Sequence, residues 1–118
     1  MDINTNKEPQ MIALENIESI HNTATEAARR AEADFITKHG EMAYCGFAWV
    51  NVPVKASTKL GRALKTVGFR KSYSGGLDLW NPGGSFTQSM DVKETGARAY
   101  AETLEKFGIK AYMMSRAD

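Results

Sequence analysis

Ala43-Tyr44-Cys45-Gly46-Phe47-Ala48-Trp49-Val50-Asn51-Val52 carries no charge, is rich in aromatic and β-branched side chains, and stops at Pro53. Such residues suit a pleated surface, and an uncharged run of this kind reads as a central strand buried on both faces. The remaining elements follow outward from it. On the C-terminal side, Ser57 or Thr58 can cap a short helix carrying Leu60, Leu64 and Val67, closed by Gly68. Phe69–Tyr73 and Leu77–Trp80 flank Ser74-Gly75-Gly76, which reads as a β-hairpin. Asn81-Pro82-Gly83-Gly84-Ser85 is a loop. Asp91 with Glu94 three residues on forms a capping box for a helix whose apolar face is Val92, Ala99, Tyr100, Leu104 and Phe107. Gly108 ends that helix, and Ile109–Met114 reads as a final strand before a polar tail. Residues 43–114 thus run β-α-β-β-α-β, the order of the ferredoxin-like fold. The expected class is α+β: a four-stranded antiparallel sheet with two helices on one face.

On the N-terminal side, apolar residues recur at helical spacing through Ile17, Ile20, Ala24, Ala27 or Ala28, Ala31 and Phe35, and stop before Gly40. With Pro9 in its first turn, this predicts a long helix over 10–40, with His21-Asn22-Thr23 a place for a break. Residues 1–9 read as a flexible N-terminus ahead of a single α+β domain over 10–118. The middle of the stripe is alanine, and small side chains allow close helix approach. A homo-oligomer through this helix and packing on the chain's own sheet both fit. In the second case the helix either covers the open sheet face or extends outward.

A chain of 118 residues buries enough surface for one core. No apolar run approaches the ~20 residues of a membrane span, and the N-terminus lacks the basic-then-apolar order of a signal peptide. A cytoplasmic protein without membrane partners is expected. The lone Cys45 makes no internal disulfide and rules out zinc sites built on cysteine pairs. The net charge of +1 hides an asymmetry: residues 55–71 hold Lys55, Lys59, Arg62, Lys65, Arg70 and Lys71 and no acid, whereas residues 1–42 are net acidic.

Catalytic patterns are absent from the sequence. His21 and His39 lie five turns apart on one helix and read as surface imidazoles. Cys45 sits in an uncharged stretch and reads as a core residue. No nucleophile elbow, phosphate loop or dinucleotide fingerprint occurs. A non-enzymatic protein with no catalytic residue, cofactor or metal is the expectation. Three binding constellations stand out. The first is the basic surface 55–71, where Lys59, Arg62 and Lys65 project from the second helix and Arg70 and Lys71 extend the patch along the next strand. The second is aromatic: Phe47 and Trp49 share one face of the first strand, with Trp80 on a neighbour, an arrangement that can stack nucleobases. The same rings also suit a core. The third is an anion or nucleotide site at the 81–98 loop and helix from Gly83, Gly84, Lys93 and Arg98, opposed by the carboxylate of Asp91 at the same helix start.

Gly46-Phe47-Ala48-Trp49-Val50, Leu79-Trp80-Asn81-Pro82, Thr87-Gln88-Ser89-Met90-Asp91, Gly96-Ala97-Arg98-Ala99-Tyr100-Ala101 and Ser115-Arg116-Ala117-Asp118 resemble a family of small proteins from tailed bacteriophages and prophages. The likeness covers about two-thirds of the chain, from Tyr44 onward, and supplies no catalytic residues. It implies expression inside an infected bacterial cell. Together these features predict an accessory binding protein that contacts a host or phage macromolecule, in an anti-defence role for example, through the basic surface. A protein partner is favoured over nucleic acid.

Overall fold

The computed structural model describes residues 14–40, 44–87 and 89–118. The elements are α1 (Ile17–His39), β1 (Gly46–Val52), α2 (Lys59–Thr66), β2 (Arg70–Lys71), β3 (Leu77–Trp80), α3 (Met90–Lys106) and β4 (Tyr112–Ala117). The four strands form one sheet in the order β2-β3-β1-β4, with every neighbouring pair antiparallel. The α+β class, the antiparallel sheet and the long N-terminal helix therefore match the sequence reading.

β1 is buried on one face only. Gly46, Ala48, Val50 and Val52 point into the core, while Phe47, Trp49 and Asn51 point the other way, as the two-residue period of a strand requires. The expectation of a strand covered on both sides fails because all the described helices sit on one side. The core joins Ala48, Val50 and Val52 to Leu77 of β3, Leu60 and Leu64 of α2, and Ala97, Tyr100 and Leu104 of α3. Ile20, Ala24 and Ala28 of α1 complete it. Each large apolar side chain so buried contributes roughly 1.5–3 kcal/mol.

α1 runs without interruption through His21-Asn22-Thr23 and packs along α3. The alanine stripe thus faces the chain's own core: Ala24 and Ala28 are fully buried there, and their small size lets the two helices approach closely. Ala27 and Ala31 of the same stripe are half-buried, and α1 leaves the outer sheet face open. The first residues of the expected helix, 10–13, and the N-terminus 1–9 lie outside the described residues.

Element ends follow local hydrogen bonds. Thr58 caps α2, its Oγ1 accepting from the Gly61 N–H at 3.0 Å. β2 is shorter than the expected Phe69–Tyr73. Phe69 stays tied to α2 through its N–H to the Leu64 carbonyl, and the Ser72 N–H to Gly76 carbonyl bond closes the turn. Gly75 and Gly76 supply the positive φ of that turn, 109° and 73°. The expected Asp91–Glu94 capping box does not form. Ser89 is the cap of α3, its Oγ accepting from the Val92 N–H, and Glu94 instead accepts from Ser115 Oγ at 2.5 Å. β4 starts three residues later than expected. Ile109 is drawn into the helix terminus by its N–H to Leu104, and the Ala111 N–H is held by Glu105, so pairing begins at Tyr112 opposite Asn51. Cys45, expected in the core, is exposed, because it lies before β1 proper in an isolated bridge to Ser89.

Candidate nucleic-acid interface

The strand register assembles the outer face of the sheet. Trp49 stands between Trp80 on β3 and Met114 on β4, Phe47 lies opposite Arg116, and Asn51 lies between Asp78 and Tyr112. Directly opposed residues of antiparallel strands share a face, so these side chains form one surface. The Trp49 and Trp80 rings are stacked, 4.4 Å between centroids and 19° between planes. Phe47 meets Trp80 edge-on at 6.1 Å. Trp80 is 47% exposed and Phe47 36%, with Trp49 half-buried beside them, so the predicted trio is a surface aromatic cluster rather than core. Exposed Tyr112 and Met114 extend it across β4.

Two cations attend Phe47. The Arg116 guanidinium lies 5.8 Å from its ring centroid and the Lys93 ammonium 5.3 Å. Lys93 reaches there from α3 and donates to the Gly46 carbonyl at 3.1 Å. At the opposite end the face turns polar: Asn51 Nδ2 donates to Asp78 Oδ1 at 2.8 Å and to the Gly75 carbonyl at 3.0 Å. Arg70 on β2 pairs opposite Asp78 and so lies on this same face. The platform is therefore apolar at its centre and flanked by cations.

Lys59, Arg62, Lys65, Arg70 and Lys71 are all exposed. Among the described residues none of the five has a carboxylate within ion-pair distance; the ion pair seen there is Arg30–Glu26 on α1. Arg62 spends one guanidinium nitrogen on the Ser57 carbonyl. The run wraps the β2 edge, from the outer side of α2 to the aromatic face at Arg70. Lys55 and Lys71 line an open pocket of about 390 Å³ between the β1–α2 turn and the hairpin.

The proposed anion residues are not brought together. Lys93 is engaged at Gly46, Arg98 is exposed, and Gly84 is exposed beyond the buried Gly83. Beside Gly83 stands a carboxyl group: a Cβ at either Gly83 or Gly96 would collide with that of Glu32. Glu32 is 4% exposed, and its Oε2 has no hydrogen-bond partner. Burial pushes its pKa up to about 7, against a smaller opposing pull from Lys93. The histidines also separate. His21 is half-buried, pairs with the buried Tyr100 hydroxyl at 2.7 Å, and has its pKa lowered by burial against a smaller opposing effect of Glu18. Burial raises the Tyr100 phenol above its ordinary value. His39 is exposed beside Phe35.

Sequence reading missed two features. An Ile109–Met114 strand holds Tyr112 and Met114 but ends before Arg116, and its pattern does not show which face they share. Glu32 continues the row Ile20-Ala24-Ala28 at four-residue intervals, a signal that its charge masked. The fold and site define a small α+β domain with an uncovered aromatic sheet face among its described residues. No family profile matches the chain, and no curated protein or solved structure matches it.

Proposed function

We propose that this protein is a non-enzymatic binding domain that takes single-stranded nucleic acid on the outer face of its sheet. The observation that carries the reading is the stacked Trp49–Trp80 pair, its Trp80 ring exposed and its Trp49 ring half-buried, with Phe47 flanked by Arg116 and Lys93. Every nucleobase has a π-face, so aromatic rings on an open sheet bind bases with little sequence preference, and adjacent cations meet the phosphates. We further infer a ferredoxin-like arrangement. Its support is the strand order, which read from the β4 edge is 4-1-3-2, with α2 and α3 in the two crossovers. The phage resemblance suggests an infected bacterium as the setting. The segments that carry it converge at one end of the sheet, where Phe47 faces Arg116, Trp49 faces Trp80 and Cys45 bridges Ser89.

Titration with short oligonucleotides tests the reading. Tryptophan fluorescence is expected to be quenched at low salt, with affinity falling steeply as salt rises. Absence of quenching at low salt refutes it. A second reading rests on the exposed cations of α2 and β2, which suit contact with an acidic surface of a host or phage protein. Replacing Lys59, Arg62, Lys65, Arg70 and Lys71 by alanine should abolish that contact while leaving the melting temperature nearly unchanged.

A further inference from the structure

We infer that Glu32 is a proton-controlled latch: as a neutral acid it holds the last two turns of α1 against α3 and the 81–84 loop, and on ionising it releases them.

The geometry singles out this side chain. Ile20, Ala24, Ala28 and Glu32 are the buried residues of α1, one per turn, and Glu32 is the last. Beyond it Phe35 and Ile36 are only half-buried, and an open pocket of about 310 Å³ lined by Ala31, Asp34, Phe35, Lys38, His39 and Thr95 separates the helix end from α3. The anchor of this helix end is thus a carboxyl group inserted between Gly83 and Gly96, where a Cβ at either glycine would collide with it. Burying a charge without partners is far more costly than burying a neutral acid.

The surroundings favour the neutral form. Glu32 Oε2 is buried without a hydrogen-bond partner, and so is Asn81 Oδ1 in the loop that carries Gly83. Both are acceptors when Glu32 is ionised, whereas protonation adds a donor to the region. The charged group facing Glu32 from α3 is Lys93, whose ammonium is committed to the Gly46 carbonyl. The 81–85 loop contributes no titratable group. On α1 the charged residue one turn away is Arg29, which is exposed. Lys93 alone therefore opposes the burial cost. A carboxyl that titrates near neutrality while docked and near its ordinary value once released couples helix docking to protons.

Hydrogen exchange of the α1 amides over 32–39 measures the opening directly in the unliganded protein, so its result is independent of nucleic-acid binding. After correction for intrinsic rates, the opening equilibrium of these amides is expected to rise on the order of 10- to 100-fold from pH 5 to 8. It should stay flat in Glu32→Gln. A wild-type profile without that rise, or the same rise in Glu32→Gln, overturns the latch. Carbon-13 titration of the wild-type Glu32 carboxyl guards against a misfolded variant. A midpoint within about one unit of neutrality supports the inference, and one in the ordinary carboxylate range refutes it.

Discussion

The two faces of β1 invert the usual expectation. The helix-covered face carries Gly46, Ala48, Val50 and Val52, the smaller side chains, while the open face carries Phe47 and Trp49. Hydrophobic burial alone would place the largest rings inside. Here the interior is already filled from above by Tyr100, Leu104, Leu64 and Phe69, which leaves room only for short side chains on the strand beneath. Packing thus fixes one face and leaves the other free. Core packing does not explain the rings on the other face, and substitutions on the two faces should have different effects.

The largest effect belongs to the covered face. Leu104→Ala removes a fully buried side chain and should cost about 2–5 kcal/mol in denaturant unfolding. Trp80→Ala, which removes more surface but from a half-exposed ring, should cost less than about 1 kcal/mol. Its expected effect lies in binding: stacking is worth roughly 1–3 kcal/mol per base, so oligonucleotide affinity should fall about 5- to 100-fold. A Trp80→Ala protein that unfolds as readily as Leu104→Ala would show that the two faces are energetically alike. The outer rings would then be structural, and no binding platform would be needed to account for them.

Next in size is pH. Glu32 has a folded-state pKa of about 7, raised from 4.5. A carboxyl raised in the folded state holds its full stabilising contribution below the unfolded value and loses it as pH rises through the folded one. Stability should therefore fall by up to about 3 kcal/mol between pH 4.5 and 7, then level off. His21 acts in the opposite sense. Its pKa is lowered by burial, so the unfolded chain takes up a proton first and stability falls as pH drops below ~6.5. The two slopes partly cancel in the wild type. Glu32→Gln should remove the first and expose the second, so that the variant is most stable near neutrality. Equal pH profiles for the two proteins would place Glu32 outside the folding linkage.

The contrast between faces also marks how much was legible in the sequence. Element order and the glycine and threonine caps could be read because they depend on short-range patterns, as at Thr58 and Gly68. The pairing of Phe47, Trp49 and Trp80 on one surface followed from the two-residue period and the strand order. What escaped depends on tertiary competition. Ile109 could extend a strand or finish a helix, and the Leu104 carbonyl decided the matter, moving the β4 register and with it Met114 and Arg116. Local pattern cannot say whether a sheet face is covered, since that depends on where α1 docks. Glu32 was hidden by its charge, although its spacing from Ala28 and Ala24 placed it on the buried row.

The cations of α2 and of β4 separate the two modes of binding, although their substitution changes least. Lys59, Arg62 and Lys65 lie on the outer side of α2, away from the aromatic face, whereas Arg116 lies on it beside Phe47. Replacing the three α2 cations by alanine touches no buried group and should shift stability by no more than about 0.5 kcal/mol. For single strands the slope of log affinity against log salt changes by about 0.7 per phosphate contact. If bases stack on the sheet, Arg116→Ala should flatten the oligonucleotide slope by roughly that amount, and the triple α2 variant should leave it unchanged. The reverse outcome would move the nucleic-acid contact off the aromatic face and onto the basic helix. The stacked tryptophans would then no longer explain the binding, and the open face of β1 would need a different occupant.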